Sequence, residues 1–560
     1  MVYSYISASP AKQFQGGKKM KKWNKLFALL MALVMVLSLA ACGSSSTSTD
    51  SSEAPSEDSS SAPSEDGGEA TGTKTFVFGS DANCNTFDVA TDLQTNSARA
   101  LVNSVMQTLW TVGKDGTVTD VLAESHEWTG DLELTVHLRS GITYSNGNAF
   151  TSDDVLFNLE HLRDSGRTAS MVSCVDFDKT TCPDDNTIVI AMSTYDAGFY
   201  DVMACCFLMD RETCEADGWN YGWLYGTGPY KLKGDGVSDK SGWEESVQYT
   251  LVRNDTYWGE APYYDEIIVK FYSEESTRYA DLQAGNLDAA YLTEASYVNN
   301  LSNGAISGAS LVQTTTQACY GFQLAAGADS VGTFADINIR KAFAHGINIE
   351  EMITVLGEGM YKVATSILGE DNWAYENVGT YEYDPDYAKE CLAAAGYSVD
   401  NPLTVTIVAE STAFNQALAT QAQASLAQIG INLDLSGMGD FATILPTLLS
   451  GQQQLGIGGP SNGAGNDPAS LLQQLGPLSD NVLQRQNDET ATDLFNRGAS
   501  SRDQAERVEI YKEYQEYIHD NYLYIPMWYD TKNYGVMDGH TSFAAALDSS
   551  NQLNPTLLTD

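Results

Sequence analysis

The chain has 560 residues and carries 74 acidic against 30 basic side chains, which gives a formal net charge of −44. Phosphate binding needs a basic surface, so this charge argues against nucleic acid as a partner. Hydrophobic residues make up 43% of the chain, as in a globular protein, and the length favours two or three substructures over a single core.

The N-terminal segment has the pattern of a secretory signal. Five lysines lie in residues 18–25, and residues 26–41 are apolar except for Ser38. A helix of that apolar length spans about 24 Å, less than the roughly 30 Å of a bilayer core. We therefore predict a signal peptide in residues 1–41. Met20 opens this signal directly, so residues 1–19 are interpreted as an over-called start.

Cys42 stands between the apolar run and a polar one. The stretch Leu39-Ala40-Ala41-Cys42-Gly43 resembles the bacterial lipobox, which implies a lipid-modified Cys42 that anchors the protein on a membrane; an ordinary buried cysteine is the alternative. The following residues are Ser, Thr, Asp, Glu, Gly and Pro with few others, and such a chain cannot bury enough surface to fold. Residues 42–73 are thus predicted to be a lipid-anchored disordered linker at the outer face of the cytoplasmic membrane.

The first elements of the body are predicted from residue periodicity. Residues 74–79 (KTFVFG) alternate like a strand, and residues 132–147 alternate before a turn at Asn146-Gly147. A helix is predicted from residue 152 to residue 166, with Ser152 or Asp153 as its N-cap and acidic residues in its first turn.

The second half predicts a strand–helix–strand unit. Residues 403–407 alternate, residues 415–429 repeat with helical spacing before Gly430, and residues 431–435 alternate again. This βαβ pattern favours a parallel sheet covered by helices. A long amphipathic helix over residues 505–518 and a buried strand over residues 523–529 are predicted near the C-terminus.

No residue pattern predicts catalysis or a bound cofactor. The histidines lack zinc-protease spacing, and neither a nucleophile elbow nor a phosphate-binding Walker loop occurs, so no metal or cofactor is expected. Eight cysteines follow Cys42. Export permits a disulfide between Cys174 and Cys182, or from Cys205 or Cys206 to Cys214, but the sequence leaves the pairing open.

Several segments in a shared order carry a family resemblance. Residues 120–162 read DVLAESHEWTGDLELTVHLRSGITYSNGNAFTSDDVLFNLEHL, and GTGPYKL, RNDTYWG and LQAGNLDAAYL follow at residues 226, 253 and 282. Together they resemble the family 5 extracellular solute-binding proteins of ABC importers, with Asn146 and Ser152 in place of the usual Asp and Ala. The family includes dipeptide, oligopeptide and nickel binders.

The resemblance implies an α/β, two-lobe periplasmic-binding-protein-like fold with a hinge. Lobe one would comprise residues 74–315, including an inserted subdomain at about 106–224. Lobe two would comprise residues 316–522, and residues 523–560 would return to lobe one. Closure of such lobes on a solute is a hinge movement.

The implied function is that of the lipid-anchored, extracytoplasmic substrate-binding component of an ABC importer. Such a protein is not an enzyme; it captures a peptide or related small solute and delivers it to the permease subunits. We expect a monomer. The same scaffold binding an oligosaccharide or a metal chelate is one alternative, and an exported hydrolase is another.

The resemblance also implies where the solute binds. Peptide-binding members hold the ligand amine with an Asp four residues before an acid-Pro proline; here that position is Ala464, before Asp467-Pro468. Free-amine peptide binding is therefore in question, because a buried ammonium needs a paired carboxylate. Trp373 is either a ligand contact or a packing residue. The predicted ligand-binding residues are Asn83, Asn85, Thr86, Phe87, Tyr320, Gln323, Trp373, Ser461, Asn462, Asn466 and Asp467.

Overall fold

The structure is a computed structural model. It describes residues 73–81, 96–165, 168–217, 225–234, 239–325, 332–450, 453–459, 465–472 and 488–560. The predicted signal peptide, Cys42 and residues 43–72 of the predicted linker lie outside the described residues. Within the described part of the chain, no helix is long and apolar enough to cross a membrane.

The first part of the body, to residue 217, contains these strands and helices. The strands are β1 (Thr75–Ser80), β2 (Trp110–Val112), β3 (Val118–Asp120), β4 (Ala123–Gly130), β5 (Glu133–Leu138), β6 (Thr181–Asp184) and β7 (Thr187–Ala191). The helices are α1 (Asn96–Val105), α2 (Ser152–Asp164), α3 (Phe199–Cys205) and α4 (Arg211–Asp217), with a 3-10 turn at Ala169–Val172.

The middle of the chain adds strands β8 (Tyr230–Leu232), β9 (Trp243–Glu244), β10 (Gln248–Arg253), β11 (Glu266–Phe271), β12 (Ala289–Leu292) and β13 (Ala309–Leu324). Its helices are α5 (Glu275–Gln283) and α6 (Ala295–Ser302).

The remaining strands are β14 (Lys362–Val363), β15 (Leu403–Val408), β16 (Ile431–Asp434), β17 (Leu455–Gly458) and β18 (Tyr524–Met537). The remaining helices are α7 (Ile337–His345), α8 (Ile349–Gly357), α9 (Pro385–Ala394), α10 (Ala413–Ala427), α11 (Phe441–Ser450), α12 (Pro468–Leu471), α13 (Glu489–Ser500) and α14 (Gln504–Asp520). Short 3-10 turns lie at Thr333–Ala335, Phe543–Ala546 and Pro555–Leu557.

One large mixed sheet runs through the molecule in the order β16-β15-β17-β13-β18-β12-β1-β11-β10-β8. Strands β15 and β16 pair in parallel on either side of α10, which confirms the predicted βαβ unit. A separate four-stranded sheet, β4-β5-β7-β6, belongs to the segment between β1 and β8. The predicted α/β fold with two lobes and an inserted subdomain is confirmed.

Separate hydrophobic cores mark these substructures. One core combines Phe76 and Phe78 of β1 with C-terminal residues such as Phe543, and a second surrounds Trp110 in the inserted subdomain. A third core surrounds β15 and α10, and a neighbouring one packs under α14. The lobe bounds stay a prediction.

Strands β13 and β18 connect the lobes. Residues 309–315 of β13 pair with residues 531–537 of β18, and residues 319–324 pair with residues 524–529. The register shifts between Thr315 and Cys319, at the predicted boundary between the lobes. A bulge at this point bends the pair, so β13 and β18 are the natural hinge strands.

Two local expectations are corrected. Helix α2 is capped by Thr151, rather than by Ser152 or Asp153; the Thr151 backbone N–H donates to Asp154 Oδ2 at 2.8 Å. In the described part of the chain, none of the considered disulfides is formed between Cys174, Cys182, Cys205, Cys206 and Cys214.

Candidate functional site

The hinge strand β18 places three functional side chains in one row. Trp528, Asp530 and Lys532 alternate along the strand, so they share one face of the sheet. They lie where the pairing with β13 changes from one lobe to the other. Asp530 and Lys532 are only partly buried, whereas their neighbours Tyr529, Thr531 and Asn533 are buried. This row is the centre of the candidate site.

An aromatic wall stands at the lobe-two end of the row. Tyr320 stacks on Trp528 with ring centroids 5.4 Å apart and an interplanar angle of 16°. Phe414 meets the same indole edge-on at 5.2 Å, and Tyr361 lies 6.0 Å from it. Tyr320 is still 38% exposed. A large ring that is fixed by stacking yet exposed at a hinge offers an apolar surface to a solute.

A group of charges stands at the lobe-one end of the row. The Lys532 ammonium faces Asp81, Asp530, Asp548 and Arg99. Burial lowers the pKa of Lys532, and the three carboxylates oppose that change. Burial raises the pKa of Asp530, although the Thr531 backbone N–H stabilises its charge. Arg99 is already paired with Asp548 at 3.0 Å.

A glycine-rich edge borders the aromatic wall. The Gln323 side-chain amide donates to the Gly459 carbonyl at 3.2 Å, and a Cβ at Gly458 would lie 2.7 Å from Gln323 Nε2. Only glycine fits there without moving that amide. The structure therefore brings Tyr320 and Gln323 together with Gly458 and Gly459. Ser461 and Asn462 lie outside the described residues, as do Asn83, Asn85, Thr86 and Phe87.

Asp467 and Asn466 belong to a second, buried group. The Asp467 carboxylate accepts from Arg507 Nη2 at 2.5 Å and from the Ala469 backbone N–H at 2.8 Å, capping α12. Asn466 is fully buried, and its side-chain oxygen and nitrogen have no hydrogen-bond partner among the described residues. Its backbone carbonyl accepts from Asn372 at 2.8 Å.

Asp201, from α3 of the inserted subdomain, reaches the same group. Its carboxylate accepts the Asp467 backbone N–H. Burial, and secondly the charge of Asp467, raises the pKa of Asp201 to about 8, so this carboxyl carries a proton at neutral pH. Asp201 and Asp467, two of the carboxyls near the Arg507 guanidinium, thereby bring a single negative charge to it.

Trp373 lies against the buried group rather than in the row on β18. The Arg507 guanidinium stands over its ring, 5.1 Å from the centroid, and Tyr511 meets it edge-on at 6.3 Å. Its indole nitrogen is buried and has no hydrogen-bond partner among the described residues. Whether Trp373 contacts a solute stays a prediction.

The sequence interpretation missed Asp530, Lys532, Arg507 and Asp201. A signal for the first two was present. The apolar strand sequence from residue 523 to residue 537 is interrupted by Asp530 and Lys532 at a spacing of two, and charged residues on one face of a buried strand need a reason. Arg507 and Asp201 come from helices far apart in the sequence, so no local pattern joins them to Asp467.

Comparison with known proteins defines the class. The family model described as bacterial extracellular solute-binding proteins, family 5 Middle, matches residues 117–481. That is more than half of the chain, and the chain belongs to this family. It is therefore a solute-binding protein of the ABC-transporter type. The resemblance seen in the sequence is confirmed.

Individual relatives differ in what they bind. The chain is 26% identical over 543 residues to heme-binding protein A of Haemophilus influenzae, covering 90% of this chain and 94% of that protein. The structure is similar to DppA of Helicobacter pylori in complex with the peptide STSA, with a TM-score of 0.69, 22% identity and coverage of 86% and 97%. It is also similar to NikA of Staphylococcus aureus in complex with Ni(L-His)2, with a TM-score of 0.66, 16% identity and coverage of 87% and 99%.

Proposed function

We propose that this protein captures a peptide or a related small solute between its lobes and delivers it to the permease subunits of an ABC importer. The row of Trp528, Asp530 and Lys532 on the hinge strand supports this proposal best. It offers an aromatic surface and two charges of opposite sign at one place, where closure of the lobes would enclose them. The predicted residues Tyr320 and Gln323 belong to the same surface.

A peptide suits this surface because it has charged ends and apolar side chains. The charges would fix its orientation, and the ring of Tyr320 would pack on its apolar part. A metal chelate is the second candidate, in keeping with the solute named for the NikA neighbour. An oligosaccharide could stack on the aromatic face and form hydrogen bonds with Asp530 and Lys532, but as a neutral solute it would not pair with their charges.

The cellular setting is part of the proposal. The lipobox at Cys42 supports a lipid anchor at the outer face of the cytoplasmic membrane, and residues 42–73 would act as its tether. A monomer is sufficient, because the proposed site is formed within one chain. Binding without turnover follows from the absence of a catalytic pattern in the sequence.

Native mass spectrometry of the purified protein tests the central claim. We expect a co-purified solute that leaves on mild unfolding with its mass unchanged. Tyr320→Ala should reduce solute retention by about tenfold, the loss expected for one aromatic contact. Tyr383→Ala is the matched control, because Tyr383 is also 38% exposed but belongs to neither β13 nor β18. Equal retention by both variants, or a chemically altered solute, would contradict the proposal.

A further inference from the structure

The carboxylates around the hinge differ in how many hydrogen bonds they already accept. Asp548 accepts from Arg99, Asn103 and two backbone N–H groups. Glu275 accepts from Arg278, Thr293 and the Glu294 backbone. Asp467 is held by Arg507 and Ala469. An added ligand cation would have to displace partners at each of these groups.

Asp530 has spare acceptor capacity. Among the described residues its only hydrogen-bond donor is the backbone N–H of Thr531, the next residue in the chain, at 2.9 Å. A carboxylate offers about four acceptor positions, and most of those of Asp530 receive no donor from the described residues. A partly buried negative charge without a paired cation is energetically costly, and a cationic group of a ligand would offset that cost.

The charged side chains around Lys532 have a net negative charge that one added cation would neutralise. Lys532 lies within the electrostatic influence of Arg99 and of the carboxylates Asp81, Asp530 and Asp548, and Asp530 is two residues away on the same strand, β18. Arg99 forms its ion pair with Asp548, and none of the described residues forms a close ion pair with Lys532. With all five groups charged, the group has one excess negative charge. Because the site is partly buried, its lower dielectric constant strengthens the attraction between this excess negative charge and an added cation.

The aromatic wall lies within reach of the same carboxylate. Burial and, after it, the charge of Asp530 raise the pKa of Tyr320, and the same two causes raise the pKa of Tyr361 to about 12. Both rings also pack against Trp528, which lies two residues from Asp530 on the same face of β18, so the aromatic wall adjoins this carboxylate. An ammonium held by Asp530 would also lie beside aromatic faces, an arrangement that favours cations.

We propose that Asp530 binds a protonated amine of the solute at the hinge between the lobes. The inference rests on the proposed function and narrows the solute to an amine-bearing molecule, such as a peptide or another compound with a primary or secondary amine. Asp467 is occupied by Arg507, whereas Asp530 accepts one hydrogen bond among the described residues, from Thr531, and has capacity for a ligand amine.

The test compares free and blocked amines. The mature protein is incubated with an equimolar library of di-, tri- and tetrapeptides of Ala, Leu and Tyr, each present in free and N-acetylated form. Peptides retained after rapid desalting are quantified by mass spectrometry. We expect wild type to retain the free form at least about tenfold over its acetylated partner, the gain of a charge-assisted hydrogen bond. Asp530→Asn should bring this ratio close to one.

The ratio separates recognition from folding, since a purely structural role of Asp530 would lower retention of both forms together. Asp538→Asn is the matched control, because Asp538 is exposed just beyond the end of the same strand. It should leave the ratio unchanged. A preference for free amines that survives in Asp530→Asn would overturn the inference, and so would equal retention of both forms by wild type.

A second set of probes distinguishes failure of the amine site from failure of the proposed solute-binding function. Maltooligosaccharides and the Ni(II)–EDTA chelate, which lack a protonatable amine, are offered to wild type and to Asp530→Asn. Tight and equal binding of either probe by both proteins, with no peptide retained, would leave a solute-binding protein but overturn the amine site. Failure of every probe to bind would overturn the inference together with the proposed function. Retention of free-amine peptides alone supports both.

Discussion

Asp201 and Asp467 bring two carboxyl groups to one buried site that holds a single guanidinium, that of Arg507. The side chain of Arg507 pairs with Asp467, while Asp201 is fully buried and accepts only backbone N–H groups. A second full negative charge there would lack a partner, which is the physical reason for the raised pKa of Asp201. At residue scale, the protonation of one side chain thus contributes to a contact between the inserted subdomain and lobe two.

This protonation predicts a pH dependence of stability. The pKa of Asp201 rises from 3.8 to about 8 on folding, so between these values the folded protein keeps a proton that the unfolded chain loses. The free energy of unfolding should therefore fall as pH rises through this window, by at most about 1.4 kcal/mol per pH unit. Asp201→Asn, which cannot ionise, should flatten the curve of melting temperature against pH between pH 5 and 8. An unchanged slope in Asp201→Asn would refute the assignment.

Removal of Arg507 should be costly, because it leaves Asp467 buried without its cation. We expect Arg507→Met to lower the free energy of unfolding by about 3 kcal/mol in urea denaturation. Adding Asp467→Asn should recover part of that loss. Lys512→Met is the control: its ion pair with Glu376 lies on the exposed side of the same helix and should contribute under about 1 kcal/mol. Similar losses for the Arg507 and Lys512 variants would contradict this account.

At the scale of elements, sequence periodicity predicted those helices and strands whose pattern is set by adjacent residues. Strand β15, helix α10 and strand β16 lie within two or three residues of the predicted unit, because alternation and helical spacing are properties of adjacent residues. The C-terminal strand was predicted to end at residue 529, but β18 continues to Met537. Its second half includes Asp530 and Lys532, polar positions that only the pairing with β13 and β12 makes part of a strand.

A substitution at Gly321 tests how closely the hinge strands β13 and β18 pack together. A Cβ there would lie 2.1 Å from the Ile525 backbone oxygen, so alanine would force β13 and β18 apart beside the aromatic wall. We expect Gly321→Ala to lower the free energy of unfolding by about 2 to 3 kcal/mol and to weaken solute retention. Gly130→Ala is the comparison, since a Cβ at Gly130 meets only the flexible side chain of Glu133 at 3.3 Å. Wild-type melting of Gly321→Ala would show that the strands are not held so closely.

At the scale of the whole molecule, the family segments predicted two lobes but not how they touch. The contact joins residues far apart in the chain: the Ala197 backbone N–H donates to the Ala499 carbonyl at 2.8 Å, and Gln504 donates to the Asp115 carbonyl at 2.9 Å. Contacts between residues so far apart in the chain produce no recognisable spacing pattern in a single sequence. The same limit applies to the candidate site. Tyr320 and Gln323 could be predicted from the resemblance, whereas the charges around Lys532 are assembled from distant segments of the chain.

Arg502 is the side chain on which this contact between lobes depends most. Its guanidinium lies 4.2 Å from the ring centroid of Trp128 and 4.4 Å from that of Tyr195, and it donates to the Asp131 carbonyl. All three partners belong to the inserted subdomain, so Arg502→Ala should shift the molecule toward separated lobes. The apparent Kd for the solute should rise by the factor by which the closed population falls, about five- to tenfold if one such contact contributes about 1 kcal/mol or slightly more.

Small-angle scattering and solute titration, carried out on the same samples, check this prediction. Arg502→Ala should have a larger radius of gyration than wild type without solute, and saturating solute should bring the two values together. The melting temperature should change little, because the cores of the separate lobes are untouched. Arg497→Ala is the matched control: Arg497 lies on the neighbouring helix, is half exposed, and among the described residues forms its ion pair with Asp493 of that helix at 3.6 Å. If Arg502→Ala and Arg497→Ala match wild type in both radius and affinity, the contact at Arg502 does not control closure, and the lobes must be held by the other contacts, among them the buried group at Asp467 and the hydrogen bonds of Ala197 and Gln504.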